Sequence, residues 1–183
     1  GYKIEICGQE KVMNRPIVHR FPDAASVANG VALAVVDKLN VVLSKKPVAH
    51  FVVTGGTVGI ATLAQLDSID TSSVDWSRVH IWWGDERFVA RDSDDRNAKQ
   101  ARNAWLSRSD VPEHNIHEFP AVDDDLTLEQ AREAFALELK NTALDGQDYP
   151  SFDLLLLGMG PDGHVASLFP GHVYDETQTV VAI

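Results

Sequence analysis

The stretch FDLLLLGMGPDGHVASLFPGH, residues 152–172, decides the fold. It begins with four consecutive leucines, residues 154–157, so it is apolar at every position rather than at alternate ones. Such a run is typical of a strand in a parallel sheet that helices cover on both faces. Open α/β sheets bind their ligands at the carboxyl edge of the strands, so the residues after the leucines are where we expect the chemistry.

The segment after the leucines combines three glycines with a histidine. The loop GMGPDG, residues 158–163, can turn tightly and bring its backbone close to a ligand because glycine has no side chain. His164 follows directly, and residues 165–169 are compatible with a short helix that Pro170 ends. We therefore expect the strand to deliver an imidazole and a row of backbone N–H groups to the edge of the sheet.

The same glycines, Gly158, Gly160 and Gly163, also match the pattern G-x-G-x-x-G of dinucleotide-binding loops. That pattern alone is a weak signal, and it requires a long helix after the third glycine. Here Pro170 interrupts the chain within two turns, and the pattern lies late in the sequence rather than in a first βα unit. The sequence therefore argues against a nicotinamide or flavin cofactor.

The composition predicts one soluble domain over residues 1–183, with 44% hydrophobic and 23% charged residues. A net charge of −11 argues against a nucleic-acid surface, which needs clustered Lys and Arg. An anionic small molecule remains compatible with this charge if an arginine or a helix N-terminus supplies local positive potential. Asp37 and Lys38 interrupt the most apolar helical stretch, residues 31–43, so we expect no membrane contact. The single Cys7 cannot form an internal disulfide, which fits a reducing, cytoplasmic location.

The periodicity of the chain predicts an α/β fold, a mostly parallel, Rossmann-like open sheet flanked by helices on both faces. Asp23 is the expected N-cap of the first helix, and Thr127 with Gln130 fits a capping box for the last. The apolar residues expected to form the buried stripe of the first helix are Val27, Val31, Val35, Leu39 and Val42. We expect strands at residues 2–6, 17–20, 51–53, 79–83, 116–119, 152–157 and 180–183, and helices at about 24–43, 58–66, 98–106 and 128–144.

The strand at 51–53 runs into Thr54-Gly55-Gly56-Thr57 and then into a helix. A strand, a Gly-Gly turn, a hydroxyl and a helix start form an anion cradle, because free N–H groups and the helix dipole converge there. A tight βα turn without a ligand remains the alternative for this loop. It is not a Walker A loop, since no Lys follows the second glycine.

The strand at 79–83 ends in Gly84 and three adjacent charges, Asp85, Glu86 and Arg87. Charges at the end of a buried strand need either an opposite charge as a partner or a role in binding or catalysis. In the functional interpretation Arg87 offers a planar fork to a phosphate, and Asp85 binds hydroxyls or orients a base. The alternative is a surface ion pair of Arg87 with one of the two acids.

Among the histidines, only His164 follows a glycine-rich strand end, the kind of cleft in which pKa-tuned groups gather. His50 and His80 lie beside or within strands and are interpreted as hydrogen-bonded core imidazoles. The other histidines lack ligand-like spacing, and one cysteine offers nothing for a zinc cage, so no metal is expected.

Three motifs together resemble the 6-phosphogluconolactonase family, which is related to the glucosamine-6-phosphate isomerases and deaminases. They are GGT at residues 55–57, WWGDER at 82–87 and GMGPDGHVASLFPG at 158–171. The resemblance implies a mostly parallel α/β fold and no metal. It also implies that His164 is the general base, that Asp85 and Arg87 lie in the active site, and that the loop at 55–57 faces the phosphate.

The implied reaction is hydrolysis of 6-phospho-D-glucono-1,5-lactone to 6-phosphogluconate. Attack of water on the lactone carbonyl needs a base that works near neutrality, and histidine is the natural one. The sequence has no G-x-S-x-G elbow, which favours direct attack by water over an acyl-enzyme. We expect loop N–H groups to stabilise the oxyanion and no cofactor to be needed. The residues assigned to catalysis are His164 and Asp85; those assigned to substrate binding are Gly55, Gly56, Thr57, Arg87, Gly160, Asp162 and Gly163.

Some positions depart from the family pattern. Val58-Gly59 stands where many members carry a proline, and Arg96 stands where a serine is usual. We also expect the family's closing strand and helix, with a basic residue for the substrate, to be missing from a chain that ends at Ile183.

Two alternative functions differ at defined residues. Amino-sugar phosphate isomerases share the Asp-Gly-His element but carry Asn-Glu-Pro in place of residues 168–170 and Asp-Glu-Tyr in place of residues 85–87. A sugar-phosphate-sensing domain without turnover would normally carry a helix-turn-helix segment, and the residues before Asp23 are too few to form one.

Overall fold

The computed structural model describes residues 16–183. The strand predicted at residues 2–6 lies outside the described residues. Four short 3₁₀ turns punctuate the connections between the longer elements. The elements, in chain order, are α1 (Ala24–Leu43), β1 (Ala49–Val53), α2 (Gly56–Ser68), β2 (Val79–Trp83), α3 (Asn97–Ala104), α4 (Leu128–Thr142) and β3 (Leu154–Leu155).

The three strands form one parallel sheet in the order β2-β1-β3. Val53 at the end of β1 pairs with Trp83 at the end of β2, and Val52 pairs with Leu155 at the end of β3. Because all three strands run the same way, the loops that follow them leave from one edge of the sheet. The glycine loop after β1, the acidic loop after β2 and the histidine loop after β3 are therefore neighbours.

Side chains alternate between the two faces of the sheet, and helices cover both faces. Phe51 and Ile81 belong to the main core, which α1, α2 and α3 share. Val52 and Trp82 point the other way and pack with residues of α4, namely Phe135 and Leu139. The predicted α/β fold with helices on both faces is confirmed.

Helix α1 begins as the sequence predicts, with the Asp23 carboxylate accepting a hydrogen bond of 2.7 Å from the Ser26 N–H. The predicted buried stripe is confirmed at Val35, Leu39 and Val42, which are buried. In the first half of the helix Val27 and Val31 are only half-buried, and Ala28 and Ala32 are fully buried instead. The small alanines let α1 approach its neighbours closely. By length and composition α1 could cross a membrane, with a mean hydropathy of 1.5 over 18 residues, but its buried face packs in the core of this domain.

The central strand is shorter and more open than its sequence predicts. Only Leu154 and Leu155 pair with β1, and Leu155 and Leu157 are 47% and 55% exposed. The expectation of a strand covered on both faces is therefore wrong for this segment. β3 lies at one edge of the sheet, and no strand among residues 16–183 pairs with its outer side.

Several short elements predicted from local sequence also do not form. Residues 17–20 are exposed and not in a strand, and residues 180–183 form no strand either. The expected strand at 116–119 reduces to one parallel bridge between Ile81 and Ile116. Residues 165–169 form tight turns, with Ala166 at φ 51°, instead of a short helix. These segments are four or five residues long, too short for a local pattern to dominate over tertiary packing.

Candidate active site

The loop after β1 leads into helix α2, whose N-terminus has no side-chain cap. Helix α2 begins at Gly56, two residues earlier than expected, and its N-cap is Gly55. Gly56 lies at φ +78°, in the left-handed region that favours glycine, and both Gly56 and Thr57 are exposed. The N–H groups of the first turn of α2 have no partners within the helix, and the helix dipole adds positive potential at this end. The loop therefore has the features of an anion cradle.

Asn97 connects this loop to the loop after β2. A Cβ added to Gly55 would lie 2.0 Å from the Asn97 side-chain oxygen, so only glycine fits against that amide. The Asn97 amide nitrogen also donates to the carbonyl of Asp85 at 3.1 Å. Asn97 thus lies between two of the predicted site loops, a role that the sequence alone did not indicate.

Glu86 caps helix α3. Its carboxylate accepts hydrogen bonds of 2.8 Å from the backbone N–H groups of Arg87, Asn97 and Ala98. Burial raises the pKa of Glu86, while these N–H groups, which favour the charged carboxylate, act in the opposite direction. Glu86 therefore pairs with backbone and not with the Arg87 guanidinium.

The Arg87 side chain is exposed, and its guanidinium makes no ion pair or hydrogen bond with residues 16–183. The alternative of a surface ion pair with Asp85 or Glu86 is therefore wrong in this structure. The geometry leaves Arg87 able to bind an anion at the edge of the sheet.

In the loop after β3, the His164 imidazole is hydrogen-bonded to Asp162. The His164 Nδ1 lies 2.5 Å from Asp162 Oδ1, and this hydrogen bond is the main cause of a lowered pKa for Asp162. The His164 ring also lies 4.9 Å, centroid to centroid, from the ring of Phe169, and its side chain is 32% exposed. The hydrogen bond to Asp162 thus holds the imidazole at Nδ1, and part of the ring stays exposed to solvent.

The glycines of this loop shape it around His164. A Cβ on Gly160 would lie 2.0 Å from His164 Cε1, so the ring occupies the space that any other residue would need. Gly163 lies at φ +87°. The N–H of Gly160 donates to the His164 carbonyl at 2.8 Å, and the N–H of Gly163 donates to the Gly160 carbonyl at 3.0 Å. These two N–H groups are engaged within the loop, so they are not the free oxyanion donors that we expected.

Ser167 joins the histidine loop to the loop after β2. Its hydroxyl donates to Asp85 Oδ2 at 2.6 Å, across 82 positions of sequence. The sequence indicated Asp85 as a residue that binds hydroxyls or orients the base, but Asp162 is the carboxylate that contacts the imidazole. The structure therefore brings Gly55, Asp85 and the histidine loop together through Asn97 and Ser167, two residues that sequence reasoning did not single out.

His50, His80 and His117 form a separate cluster on the α4 side of the sheet, in which His50 and His117 are buried and His80 is half-buried. His80 Nδ1 lies 2.8 Å from His117 Nε2, and the Trp82 indole N–H donates to His50 Nδ1 at 3.2 Å. Burial, with the neighbouring imidazoles, lowers the pKa of His80 to about 4. The interpretation of His50 and His80 as hydrogen-bonded core imidazoles is confirmed.

No group of three or more His, Cys, Asp or Glu side chains among residues 16–183 is placed to hold a metal ion. A cavity of about 370 Å³ is lined by none of the predicted site residues, and its basic side chains are paired with acids such as Asp124, Asp94 and Glu113. Its lining consists of Arg91, Lys99, Arg102, Asn103, Ser107 and Glu118.

Comparison with known proteins identifies the family. The 6-phosphogluconolactonase of Mycobacterium tuberculosis is 40% identical over 167 residues, which are 89% of this chain and 67% of that protein. The 6-phosphogluconolactonase of Streptomyces coelicolor is 37% identical over 174 residues, 91% of this chain and 66% of that protein. The crystal structure of 6-phosphogluconolactonase from Thermotoga maritima superimposes with a TM-score of 0.67 at 32% identity, covering 78% of this chain and 60% of that one.

The chain thus spans about two thirds of the length of these relatives. The family model described as glucosamine-6-phosphate isomerases/6-phosphogluconolactonase matches residues 22–183, nearly all of the described part. The match confirms the resemblance read from the three motifs, and the chain belongs to the glucosamine-6-phosphate isomerase/6-phosphogluconolactonase family.

Proposed function

We propose that this protein hydrolyses 6-phospho-D-glucono-1,5-lactone to 6-phosphogluconate, as the names of its relatives suggest. The observation that carries the proposal is the His164–Asp162 hydrogen bond at the end of β3. The ionised Asp162 carboxylate can only accept a hydrogen bond, so it favours the His164 tautomer that carries its proton on Nδ1. Nε2 is then left with a lone pair that can take a proton from water.

His164 acts as the general base in this scheme. It removes a proton from a water molecule as the water oxygen attacks the C1 carbonyl of the lactone, which gives a tetrahedral oxyanion. Collapse of that intermediate breaks the bond between C1 and the ring oxygen, and the imidazolium gives its proton to this leaving oxygen, which becomes a hydroxyl. Asp162 stabilises the imidazolium between the two steps, since it is a charged hydrogen-bond acceptor at Nδ1. General-base catalysis of this kind contributes on the order of 10² to 10⁴ in rate.

The phosphate of the substrate binds across the loops after β1 and β2. The exposed N–H groups of Gly56 and Thr57 at the start of α2 provide the cradle, and Gly55 lets the chain turn into it. Arg87 supplies a guanidinium fork that is not engaged with other residues in 16–183. Support for this assignment comes from the parallel sheet, which puts both loops at one edge.

The remaining site residues shape the sugar pocket. Asp85 faces the histidine loop through its bond to Ser167, and its second carboxylate oxygen is assigned to a sugar hydroxyl. Gly160, Asp162 and Gly163 form the wall that carries His164 and lies beside the ring of the substrate. The scheme uses water, side chains and backbone, and it requires no cofactor. A cytoplasmic location and the absence of nucleic-acid and membrane partners remain predictions from composition.

The test generates the lactone from glucose 6-phosphate by enzymatic oxidation and follows acid release at pH 7 with the 183-residue chain. We expect the wild-type chain to raise the rate above spontaneous hydrolysis. His164→Ala should abolish this acceleration while 6-phosphogluconate still binds, because the phosphate contacts stay in place. The matched control is His19→Ala, an exposed histidine remote in sequence from the site. An unchanged kcat in the His164 variant would refute the assignment of the base.

A second activity is tested in the same preparation. The family description also covers glucosamine-6-phosphate isomerases, so glucosamine 6-phosphate is offered and ammonia release is measured. Ammonia release without lactone hydrolysis would replace the proposal with the isomerase function. Tight binding of 6-phosphogluconate with neither reaction would identify a sensing domain.

A further inference from the structure

We propose that Glu86 is a positioning residue that sets the spacing between the two phosphate-binding loops. This inference rests on the proposed function, in which the loop at residues 55–57 and Arg87 hold the same phosphate. Glu86 itself does not touch the substrate in this account, since its carboxylate is turned toward backbone N–H groups and is half-buried.

The Glu86 carboxylate joins two segments that are ten residues apart in sequence. Oε1 accepts from the N–H groups of Arg87 and Asn97, and Oε2 accepts from the N–H of Ala98, each at 2.8 Å. Asn97 and Ala98 are the first two residues of α3, whose N-cap Arg96 makes no side-chain cap hydrogen bond. One carboxylate therefore fixes the backbone of Arg87 to the N-terminus of a helix.

Fixing α3 also fixes the Asn97 side chain, which reaches the other phosphate loop. Its amide nitrogen donates to the Asp85 carbonyl, and its amide oxygen fills the space beside Gly55. The contacts thus run without interruption from Arg87 through Glu86 and Asn97 to Gly55. A shift of the α3 N-terminus would change the distance between the guanidinium and the cradle that the proposed function assigns to one phosphate.

A carboxylate suits this position better than an amide. Three N–H donors converge on it, and an ionised carboxylate has two oxygens that only accept. In Glu86→Gln the Oε1 position can still accept from Arg87 and Asn97, but the amide NH₂ then faces the Ala98 N–H, donor against donor. The negative charge also favours the N-terminus of α3 through the helix dipole. Glu86→Gln therefore loosens the contact without changing the volume of the side chain.

The experiment compares Glu86→Gln and Glu86→Ala with Asp23→Ala. Asp23 is the matched control, because it is also a carboxylate that caps a helix but belongs to α1, away from the site loops. In the Glu86 variants we expect KM for the lactone and Kd for 6-phosphogluconate to rise together by roughly tenfold, with kcat within about threefold, since positioning errors near 1 Å have effects of this order or larger. Asp23→Ala should lower the melting temperature and leave KM and Kd unchanged.

A spectroscopic measurement reports on the contact itself. The backbone amide proton signals of Arg87, Asn97 and Ala98 should all move upfield in Glu86→Gln and stay in place in Asp23→Ala. If wild-type protein hydrolyses the lactone but the Glu86 variants keep its KM and Kd, the inference is overturned and the proposed function stands. If wild-type protein does not hydrolyse the lactone, the proposed function falls. In that case the inference is tested by the Kd for 6-phosphogluconate alone: a Kd that rises in the Glu86 variants supports it, and an unchanged Kd overturns it. If Glu86→Ala does not fold, the test uses Glu86→Gln, which keeps the side-chain volume.

Discussion

Replacement of Gly160 by alanine perturbs the proposed base without touching it. The added Cβ would lie 2.0 Å from Cε1 and 2.3 Å from Nδ1 of His164. Non-bonded carbon atoms pack at about 3.5 Å or more, so the imidazole must retreat by about 1.5 Å. A misplacement near 1 Å can cost on the order of 10²-fold in rate, and we expect kcat of Gly160→Ala to fall by about that factor.

Gly158→Ala is the matched control in the same loop, because a Cβ at Gly158 meets no atom within 4 Å. The assay measures lactone hydrolysis under saturating substrate, after subtraction of the spontaneous rate, for both variants and the wild-type chain. The loop is largely exposed, so each free energy of unfolding should change by no more than about 1 kcal/mol. Gly158→Ala should keep the wild-type kcat.

The double variant Gly160→Ala/His164→Ala makes the test specific. Both changes act on one imidazole, so the double variant should be no slower than His164→Ala alone. A folded Gly160→Ala protein with wild-type kcat would refute the reasoning, because it would mean that the position of the His164 ring does not matter for turnover. A further loss in the double variant would show that Gly160 acts through another group.

Three more predictions concern other parts of the molecule. Arg87→Ala should raise KM by at least about tenfold and change kcat little in steady-state assays, because the lost contact is to the phosphate in both ground and transition states; a fall in kcat alone would contradict the phosphate assignment. Ser167→Ala should cost about 1 kcal/mol in urea unfolding and lower kcat/KM, since it removes the 2.6 Å bond to Asp85, whereas Ser167→Thr should restore both; no rescue by threonine would argue against the hydroxyl. His80 has a pKa of about 4 in the folded protein and about 6.5 in the unfolded chain. As the pH falls, the unfolded chain therefore binds a proton at His80 first, and this protonation favours unfolding. The free energy of unfolding should therefore drop between pH 7.5 and pH 5, by about 1 kcal/mol from this group after allowance for solvent screening, and His80→Asn should remove that part of the slope.

Local signals in the sequence were enough for the starts of α1 and α4 and for strands β1 and β2. Asp23 caps α1 through Ser26, three residues away, and Thr127 and Gln130 make the predicted capping box of α4. Strand β1 is the central strand and β2 lies at one edge, and both are buried because the hydrophobic clusters on the two faces of the sheet cover them. The end of α4 was harder to place: the helix stops at Thr142, ahead of the expected Asp145-Gly146 turn.

The leucine run at residues 154–157 shows what local signals cannot predict. Four consecutive leucines indicate a strand, but they do not tell where the strand lies in the sheet. Among the described residues β3 has a partner on one side only; two of its leucines pair with β1, and Leu155 and Leu157 are about half exposed. Burial at this position depends on what lies beside β3, and that is a property of the assembled sheet.

In the candidate site, too, some contacts could be predicted from local sequence and others depend on the assembled sheet. His164 could be predicted because it follows a glycine-rich strand end, and its bond to Asp162, two residues earlier, was within reach of local reasoning. The contacts of Asn97 with Asp85 and of Ser167 with Asp85 join residues 12 and 82 positions apart, so no local pattern indicates them. Both contacts depend on parallel strands bringing distant loops to one edge.

The most direct test of the central claim is a crystal structure of the chain with bound 6-phosphogluconate. We expect the carboxylate formed from the lactone to lie within hydrogen-bond distance of His164 Nε2, while the phosphate contacts Arg87 and the N–H groups of Gly56 and Thr57. Product bound with its phosphate against His164, or bound at a place that Arg87 and His164 do not share, would contradict it.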